Sequence, residues 1–211
     1  MEDDRVRWNE RYRGTEFDLP TVPSSLLSEW IDRLPGGRAL DVATGTGRNA
    51  RFLADHGYEV DAVDISDEAL RQARDHATRQ SLAVNWIQAD LDTYPLPTER
   101  YSVIVVTFFH ALDLLPDLKE ALEPGGVLLY EHHLRADPPA ERGPSDDRHR
   151  FRSNDLLRAC LDLTVLHYEE ATRITDGRRS AVATLVARQS TGGAQAYPQH
   201  VSGHERSSTQ D

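Results

Sequence analysis

The stretch Gly37–Asp64, G-R-A-L-D-V-A-T-G-T-G-R-N-A-R-F-L-A-D-H-G-Y-E-V-D-A-V-D, leaves few folds open. Ala39, Leu40 and Val42 form the short apolar run of a buried strand. Gly45 and Gly47 flank Thr46, so no bulky side chain separates that backbone from whatever lies over the turn. Arg48–His56 carries Ala50, Phe52, Leu53 and Ala54 at helical spacing. A helix starting there aims its free backbone N–H groups at the turn. Val60, Ala62 and Val63 make a second strand, closed by Asp64. A carboxylate at that strand end suits the two ribose hydroxyls of an adenosine ligand.

Gly45–Ala50 also fits G-x-G-x-x-G/A, the dinucleotide fingerprint, which by itself discriminates poorly. An NAD-dependent oxidoreductase with a Tyr-x-x-x-Lys pair is excluded, because Lys119 is the only lysine and Leu115 stands four residues before it. The added feature is Asp41, four residues ahead of Gly45. D-V-A-T-G-T-G followed by an acid at the end of the next strand resembles motif I of the class I S-adenosylmethionine (SAM) methyltransferases. Ala43 occupies a small-residue position that is often Gly in that family. Leu122-Glu123-Pro124-Gly125-Gly126 before a Val/Leu strand is a second point of resemblance. W-N-E-R-Y (8–12), G-T-G-R-N-A (45–50) and L-H-Y-E-E (166–170) resemble the tellurite-resistance subgroup.

The resemblance covers roughly residues 5–188. It implies an α/β fold: a doubly wound, seven-stranded, mostly parallel sheet of order 3-2-1-4-5-7-6, helices on both faces and an antiparallel last strand. It implies SAM as cofactor and a small-molecule acceptor such as a chalcogen oxyanion, a thiol or a quinone. The cofactor residues it implies are Asp41, Ala43, Gly45, Gly47 and Asn49 around the turn, Asp64 and Ile65 at the ribose, Asp90 and Leu91 at the adenine, and Thr107 and Phe108 at the sulfonium. Trp8 and Tyr12 would belong to a lid helix, about residues 3–13, or merely dock that helix on the domain. A non-catalytic SAM-binding protein is the competing class.

At 211 residues a single domain with a proper core is expected. One methyltransferase domain over 1–188 and a disordered tail over 189–211, which lacks Leu, Ile, Phe and Trp, is the predicted organisation. The net charge of −11 argues against nucleic acid as partner. The absence of N-P-P-Y or D-P-P-Y after the fourth strand also argues against a base-amine acceptor. No apolar run approaches spanning length, and the Met-Glu-Asp-Asp start does not read as a signal peptide, so no membrane association and a cytoplasmic location are expected. Cys160 is the only cysteine, which excludes an intrachain disulfide and a cysteine-rich zinc site. No metal is expected, since the histidines lack i,i+4 pairing and a supporting acidic cluster.

The remaining elements follow in order. Ser24–Leu34 is predicted as a helix with Leu26, Leu27, Trp30, Ile31 and Leu34 inward. Ser66 caps a helix reaching about Arg79. Strands are expected at 82–89, 101–107 and 127–131, with a helix at 114–122 and a turn at Pro124–Gly126. Arg135–Arg150, rich in Pro, Gly and charge, reads as an exposed mobile loop, and Ser153 as the cap of the next helix. Strands at 163–168 and 180–188, joined through Asp176-Gly177, close the chain.

Methyl transfer from a sulfonium needs alignment and water exclusion more than a dictated base. His110 and His132, near the ends of the fourth and fifth strands, are the catalytic candidates, since an imidazole can take a proton near neutrality. Arg148 and Arg152 suit an anionic acceptor. His132 and His133 cannot point the same way on an extended strand, so one of them at most meets substrate.

Overall fold

The computed structural model describes residues 2–14, 21–175, 177–194 and 197. The chain runs α1 (Glu2–Arg13), α2 (Ser25–Trp30) with a 3-10 turn at Ile31–Arg33, β1 (Arg38–Val42), α3 (Arg48–Asp55), β2 (Glu59–Asp64), α4 (Asp67–Arg79) and β3 (Asn85–Gln88). It continues with β4 (Tyr101–Thr107), α5 (Leu115–Ala121), β5 (Leu122–His133), a 3-10 turn at Asp147–His149, α6 (Asp155–Ala159), β6 (Thr164–Thr175) and β7 (Arg178–Arg188).

The seven strands form one sheet in the order β3-β2-β1-β4-β5-β7-β6. β1, β2, β3 and β4 pair in parallel, as do β4 and β5. β7 alone runs against its neighbours β5 and β6. This is the doubly wound arrangement expected from the sequence. Each face has its own core. On one, Leu26, Leu27, Trp30, Ala50 and Leu53 of α2 and α3 cover Ala39, Val103, Val105 and Leu129. On the other, Leu115, Leu118 and Ala121 of α5 and Leu156 of α6 cover Leu40, Ile104, Val106, Leu128 and Tyr130. Strands buried on both faces read as continuous apolar runs, and β4 is buried along Tyr101–Val106.

Several boundaries differ from expectation. β3 begins at Asn85 rather than 82, because the Leu82 N–H donates to Ala77 O at 3.0 Å and so closes the end of α4. The last turn of the 24–34 helix is 3-10. Pro124-Gly125-Gly126 lies inside β5 as an irregularity beside Tyr101, not before the strand. A Cβ at Gly126 would stand 2.8 Å from Tyr101 O, so the two backbones meet there only through glycine. His132 and His133 sit within β5, opposite Ala183 and Val182, rather than past its end. β6 runs on to Thr175, well past 168.

The 135–150 segment is exposed along most of its length but is not loose. Arg150, itself buried, donates to Pro144 O at 2.9 Å, Leu134 O at 3.2 Å and Arg142 O at 3.1 Å. α6 is preceded by Asn154 at φ 65° with no side-chain cap, while Ser153 Oγ donates to Glu170 instead. Of the expected tail, 195–196 and 198–211 lie outside the described residues, as do Asp176 and 15–20. Gln189 still pairs with the sheet through Gly126 O at 2.8 Å. Among the described residues no helix is long and apolar enough to cross a membrane.

Candidate active site at the strand ends

The C-terminal ends of β1, β2, β4 and β5 lie side by side, and ligands of open α/β sheets bind beyond such ends. β1 leads into a turn with Ala43, Gly45 and Gly47 all at positive φ: 52°, 56° and 76°. Ala43 therefore takes a left-handed conformation that an L side chain adopts at about 1–2 kcal/mol. Asp41, buried at the end of β1, holds this turn. It accepts from Thr44 Oγ1 and from Ala50 N at 3.1 Å, tying the strand to an amide at the start of α3. Burial pushes its carboxyl up to about 6, against those two hydrogen bonds.

Gly45 and Gly47 do different work. A Cβ on Gly45 would stand 2.8 Å from the Tyr12 hydroxyl, so Gly45 faces the space under α1. A Cβ on Gly47 would stand 2.5 Å from Trp86 Cη2 and 3.0 Å from Ala73 Cβ, so Gly47 faces the packing of α3, α4 and β3. Asn49 is likewise framework: Nδ2 donates to Thr107 Oγ1 at 3.1 Å and Oδ1 accepts from Ser24 N at 2.9 Å.

Asp64, at the end of β2, is buried, yet each of its oxygens faces the turn region. Oδ2 accepts from Gly45 N at 2.7 Å and Oδ1 from Ser66 N at 2.9 Å. Burial raises its pKa against those bonds. A carboxylate offers about four lone-pair sites, so acceptor capacity remains beyond the backbone amides of Gly45, Ser66 and Ile65. Ile65 follows, partly exposed. The Tyr12 phenol, whose hydroxyl stands by Gly45, is shifted up by burial and by the charge of the nearby Asp64. The Tyr12 ring centroid is 6.0 Å from that of Trp8, and Arg11 stacks on Trp8 at 5.2 Å.

α1 is fastened over this region by a residue that sequence reasoning missed. Asn9 Nδ2 donates to Asp67 Oδ1 at 2.6 Å, and its Oδ1 accepts from Ser66 Oγ at 2.6 Å and Glu68 N at 3.3 Å. Gln72 Nε2 donates to Tyr12 O at 2.9 Å. Asp90 is partly exposed and forms a turn, its Oδ1 accepting from Asp92 N at 3.1 Å. The Leu91 side chain is buried in the α5-side core, which leaves only its backbone to meet a ligand.

At the end of β4, Phe108 is at φ 57°, rare for a bulky residue and worth about 1–3 kcal/mol of strain. That turn leaves its ring 41% exposed and stacked on His133 at 4.5 Å, 16° apart. The two histidines of β5 separate as alternation requires. His132 is 1% exposed, packed on Phe151 at 4.4 Å, with Nε2 on His149 O at 2.9 Å. Burial moves its pKa down to about 3. His133, on the other face, is lowered to about 4 by burial and by Arg150. His110 is exposed, 5.6 Å from His132 across the Phe151 side, and lowered chiefly by desolvation. Arg148 is exposed and paired with Asp146 at 2.6 Å, and Arg152 is also exposed. The predicted acceptor cluster is thus split between two faces of the sheet.

Three further charged residues gather on the His133 face. Glu131, 5% exposed, accepts from Arg173 of β6 at 3.0 Å, and Arg48 at the start of α3 lies 6.0 Å from the Phe108 ring. Glu131 closes the strand predicted over 127–131, so the strand-end position that singled out His110 applied to it equally. Among the described residues no group of three or more His, Cys, Asp or Glu is placed to hold a metal ion. A shallow hollow of about 550 Å³, lined by Arg38, Glu59, Leu82 and Trp86, lies at the opposite ends of the strands.

Residues 39–126 match the profile of the Methyltransferase domain family. The chain is 35% identical over 144 residues to the malonyl-[acyl-carrier protein] O-methyltransferase of Enterobacter lignolyticus, covering 61% of this chain and 55% of that protein. It is 35% identical over 105 residues to the ubiquinone/menaquinone biosynthesis C-methyltransferase UbiE of Ectopseudomonas mendocina, covering 45% and 41% respectively. The crystal structure of TehB from Haemophilus influenzae superposes with a TM-score of 0.68 at 21% identity, covering 88% of this chain and 66% of that one.

Over residues 39–126 the chain is thus similar to methyltransferases.

The match spans β1 to the start of β5, which includes the turn, Asp64, Asp90 and Phe108. The chain spans about half the length of the two curated relatives named above. The likeness to TehB is one of fold.

Proposed function

We propose that this chain carries the methyl group of SAM to a small-molecule acceptor by in-line displacement, in the cytoplasm and without nucleic acid as partner. The observation that carries the reading is Asp64: a buried carboxylate at the end of β2, aimed at the Gly45 amide and near Tyr12. The backbone at Ala43 and Gly45 receives the methionine end, because a side chain at Gly45 would fill that space. Asp64 holds the ribose hydroxyls with its remaining lone pairs, beside Ile65. Asp90 and the backbone of Leu91 border the adenine. Asp41, Gly47 and Asn49 shape the turn that the cofactor meets, and Thr107 and Phe108 border the sulfonium, where an aromatic face is worth about 0.5–2 kcal/mol toward a cation. Trp8 and Tyr12 close over the site on α1. When bound, SAM supplies an activated methyl and a neutral leaving group. The chain's part is then to align the acceptor and exclude water.

The net charge of −11 and the relative named for ubiquinone and menaquinone biosynthesis support a small acceptor. The names of the relatives cover both O- and C-methylation, so they do not choose the acceptor atom. Of the two histidine candidates, His110 is the one with an exposed ring.

Calorimetric titration with SAM tests the reading. Asp64→Ala weakens binding about 10–100-fold, as expected for hydrogen bonds to a charged group, while circular dichroism confirms a folded protein. Absence of SAM binding by the native chain, or unchanged affinity in a folded Asp64→Ala, refutes it.

A further inference from the structure

On the α3 side of the sheet, Glu131 of β5 lies beside the end of β4. Arg173 Nη1 takes Glu131 Oε1 at 3.0 Å and is itself held by Glu169 at 3.4 Å. Among the described residues Oε2 accepts no hydrogen bond. A buried carboxylate with one guanidinium on one oxygen is a poor stabilising device, because a single pair seldom offsets the desolvation of both charges. Its position, in register with Thr107 at the end of β4, puts the unused oxygen in the reaction zone.

The wall beside it is flat. The Phe108 N–H donates to Glu131 O at 2.8 Å, which fixes the turn that swings the Phe108 ring outward. That ring lies on His133, and Gly143 of the 135–150 segment presses on His133 from behind, where a Cβ would be 2.7 Å from the imidazole. Arg48 stands near the Phe108 ring at 6.0 Å.

We propose that Glu131 takes the proton from a hydroxyl carried on a planar ring as that oxygen is methylated, with the ring lying against Phe108. The proposal rests on the methyl-transfer reading above. The acceptor oxygen forms the new O–CH3 bond as the S–CH3 bond breaks. The pair of electrons in that bond stays on sulfur, giving a neutral thioether, and the hydroxyl proton passes to Glu131 Oε2. A thiolate or a chalcogen oxyanion has no proton to give up, and a buried carboxylate repels either. An aromatic hydroxyl needs a base and presents a flat face. Burial raises the pKa of Glu131 although Arg173 and Arg48 oppose it, so the group keeps some basicity. The charged or titratable groups that face it are Arg48 on α3, Glu29 on α2, Arg173 and Glu169 on β6 and His133 on its own strand, with His167 reaching Thr184 at 3.3 Å beside it.

The test uses the full chain with catechol, thiophenol and tellurite as acceptors, read by mass spectrometry, with SAM affinity measured first. SAM binding by the native chain separates this proposal from the reading beneath it; without that binding both fall. With SAM affinity within twofold of native, Glu131→Gln lowers kcat for catechol about 100-fold or more and removes the acidic limb of the pH profile. Glu131→Asp keeps that limb at reduced kcat. Catechol affinity, titrated calorimetrically with S-adenosylhomocysteine bound, stays within about threefold in Glu131→Gln and falls about tenfold in Phe108→Ala. A Glu131→Gln enzyme retaining more than about a third of kcat, an unchanged affinity in Phe108→Ala, or methylation of thiophenol or tellurite but not catechol overturns the proposal.

Discussion

Replacing Gly47 by Ala should damage the fold, whereas the same change two residues earlier, at Gly45, should damage the ligand cleft. At Gly47 the new methyl would meet Trp86 Cη2 at 2.5 Å, Trp86 Cζ3 at 2.8 Å and Ala73 Cβ at 3.0 Å. Trp86 lies in β3 and Ala73 in the middle of α4, so neither can swing into solvent. Overpacking of this kind costs about 1–3 kcal/mol, and an L residue at φ 76° adds about 1–2 kcal/mol. The sum is about 2–5 kcal/mol, and since 1 kcal/mol moves Tm by about 2–4 °C at this chain size, the fall is about 4–20 °C. At Gly45, φ is 56° and the methyl would meet only the Tyr12 hydroxyl, at 2.8 Å. That atom ends a side chain on α1, and it can move away. Gly45→Ala therefore loses only about 1–2 kcal/mol of stability but displaces Tyr12 from near Asp64 and weakens SAM. Differential scanning calorimetry with SAM titration separates the two. A Gly47→Ala protein whose Tm falls by less than about 2 °C would falsify the assignment of Gly47 to packing.

Two further outcomes follow from the same geometry. Asn9→Ala removes three hydrogen bonds between α1 and the start of α4, so amide exchange in residues 4–13 should speed up about 10–100-fold, measured by exchange mass spectrometry; an unchanged rate means that α1 is held by its other contacts. His132 is neutral in the folded chain with a pKa of about 3 against 6.5 unfolded, so between these values the unfolded state binds more protons and stability drops as pH falls. Between pH 7 and 4.5 that contribution is about 2–3 kcal/mol. Urea unfolding of His132→Gln at the two pH values should show a correspondingly flatter dependence, and equal slopes for both proteins would remove His132 from the acid response.

The strand-turn-helix-strand unit was legible because its signals are local: apolar runs, small residues at fixed offsets and an acid at a strand end. The same holds for Ser66 as a helix cap, which accepts from Ala69 N. The ends of β3 and β5 differ from the sequence pattern for a local reason too. Leu82 serves the end of α4, and Pro124–Gly126, whose residues favour a turn, continues as an irregular strand.

The sequence by itself determined which segments are strands and helices, and that an acid, a glycine-containing turn and a second acid would meet at one edge of the sheet. Only the tertiary structure decided what each of those side chains faces. Alternation said that His132 and His133 part company, but the packing of Phe151 made His132 the enclosed one. Spacing paired Gly45 with Gly47, but Trp86 on a neighbouring strand gave them separate roles. Asn9 with Ser66, and Glu131 with Arg173, are partners across 57 and 42 positions. Their meeting depends on helix docking and on the register of β5, β6 and β7, which an irregularity between Val165 and His167 shifts. Such pairs leave no periodic trace, because side-chain direction is set within an element and the opposing group by how elements stack.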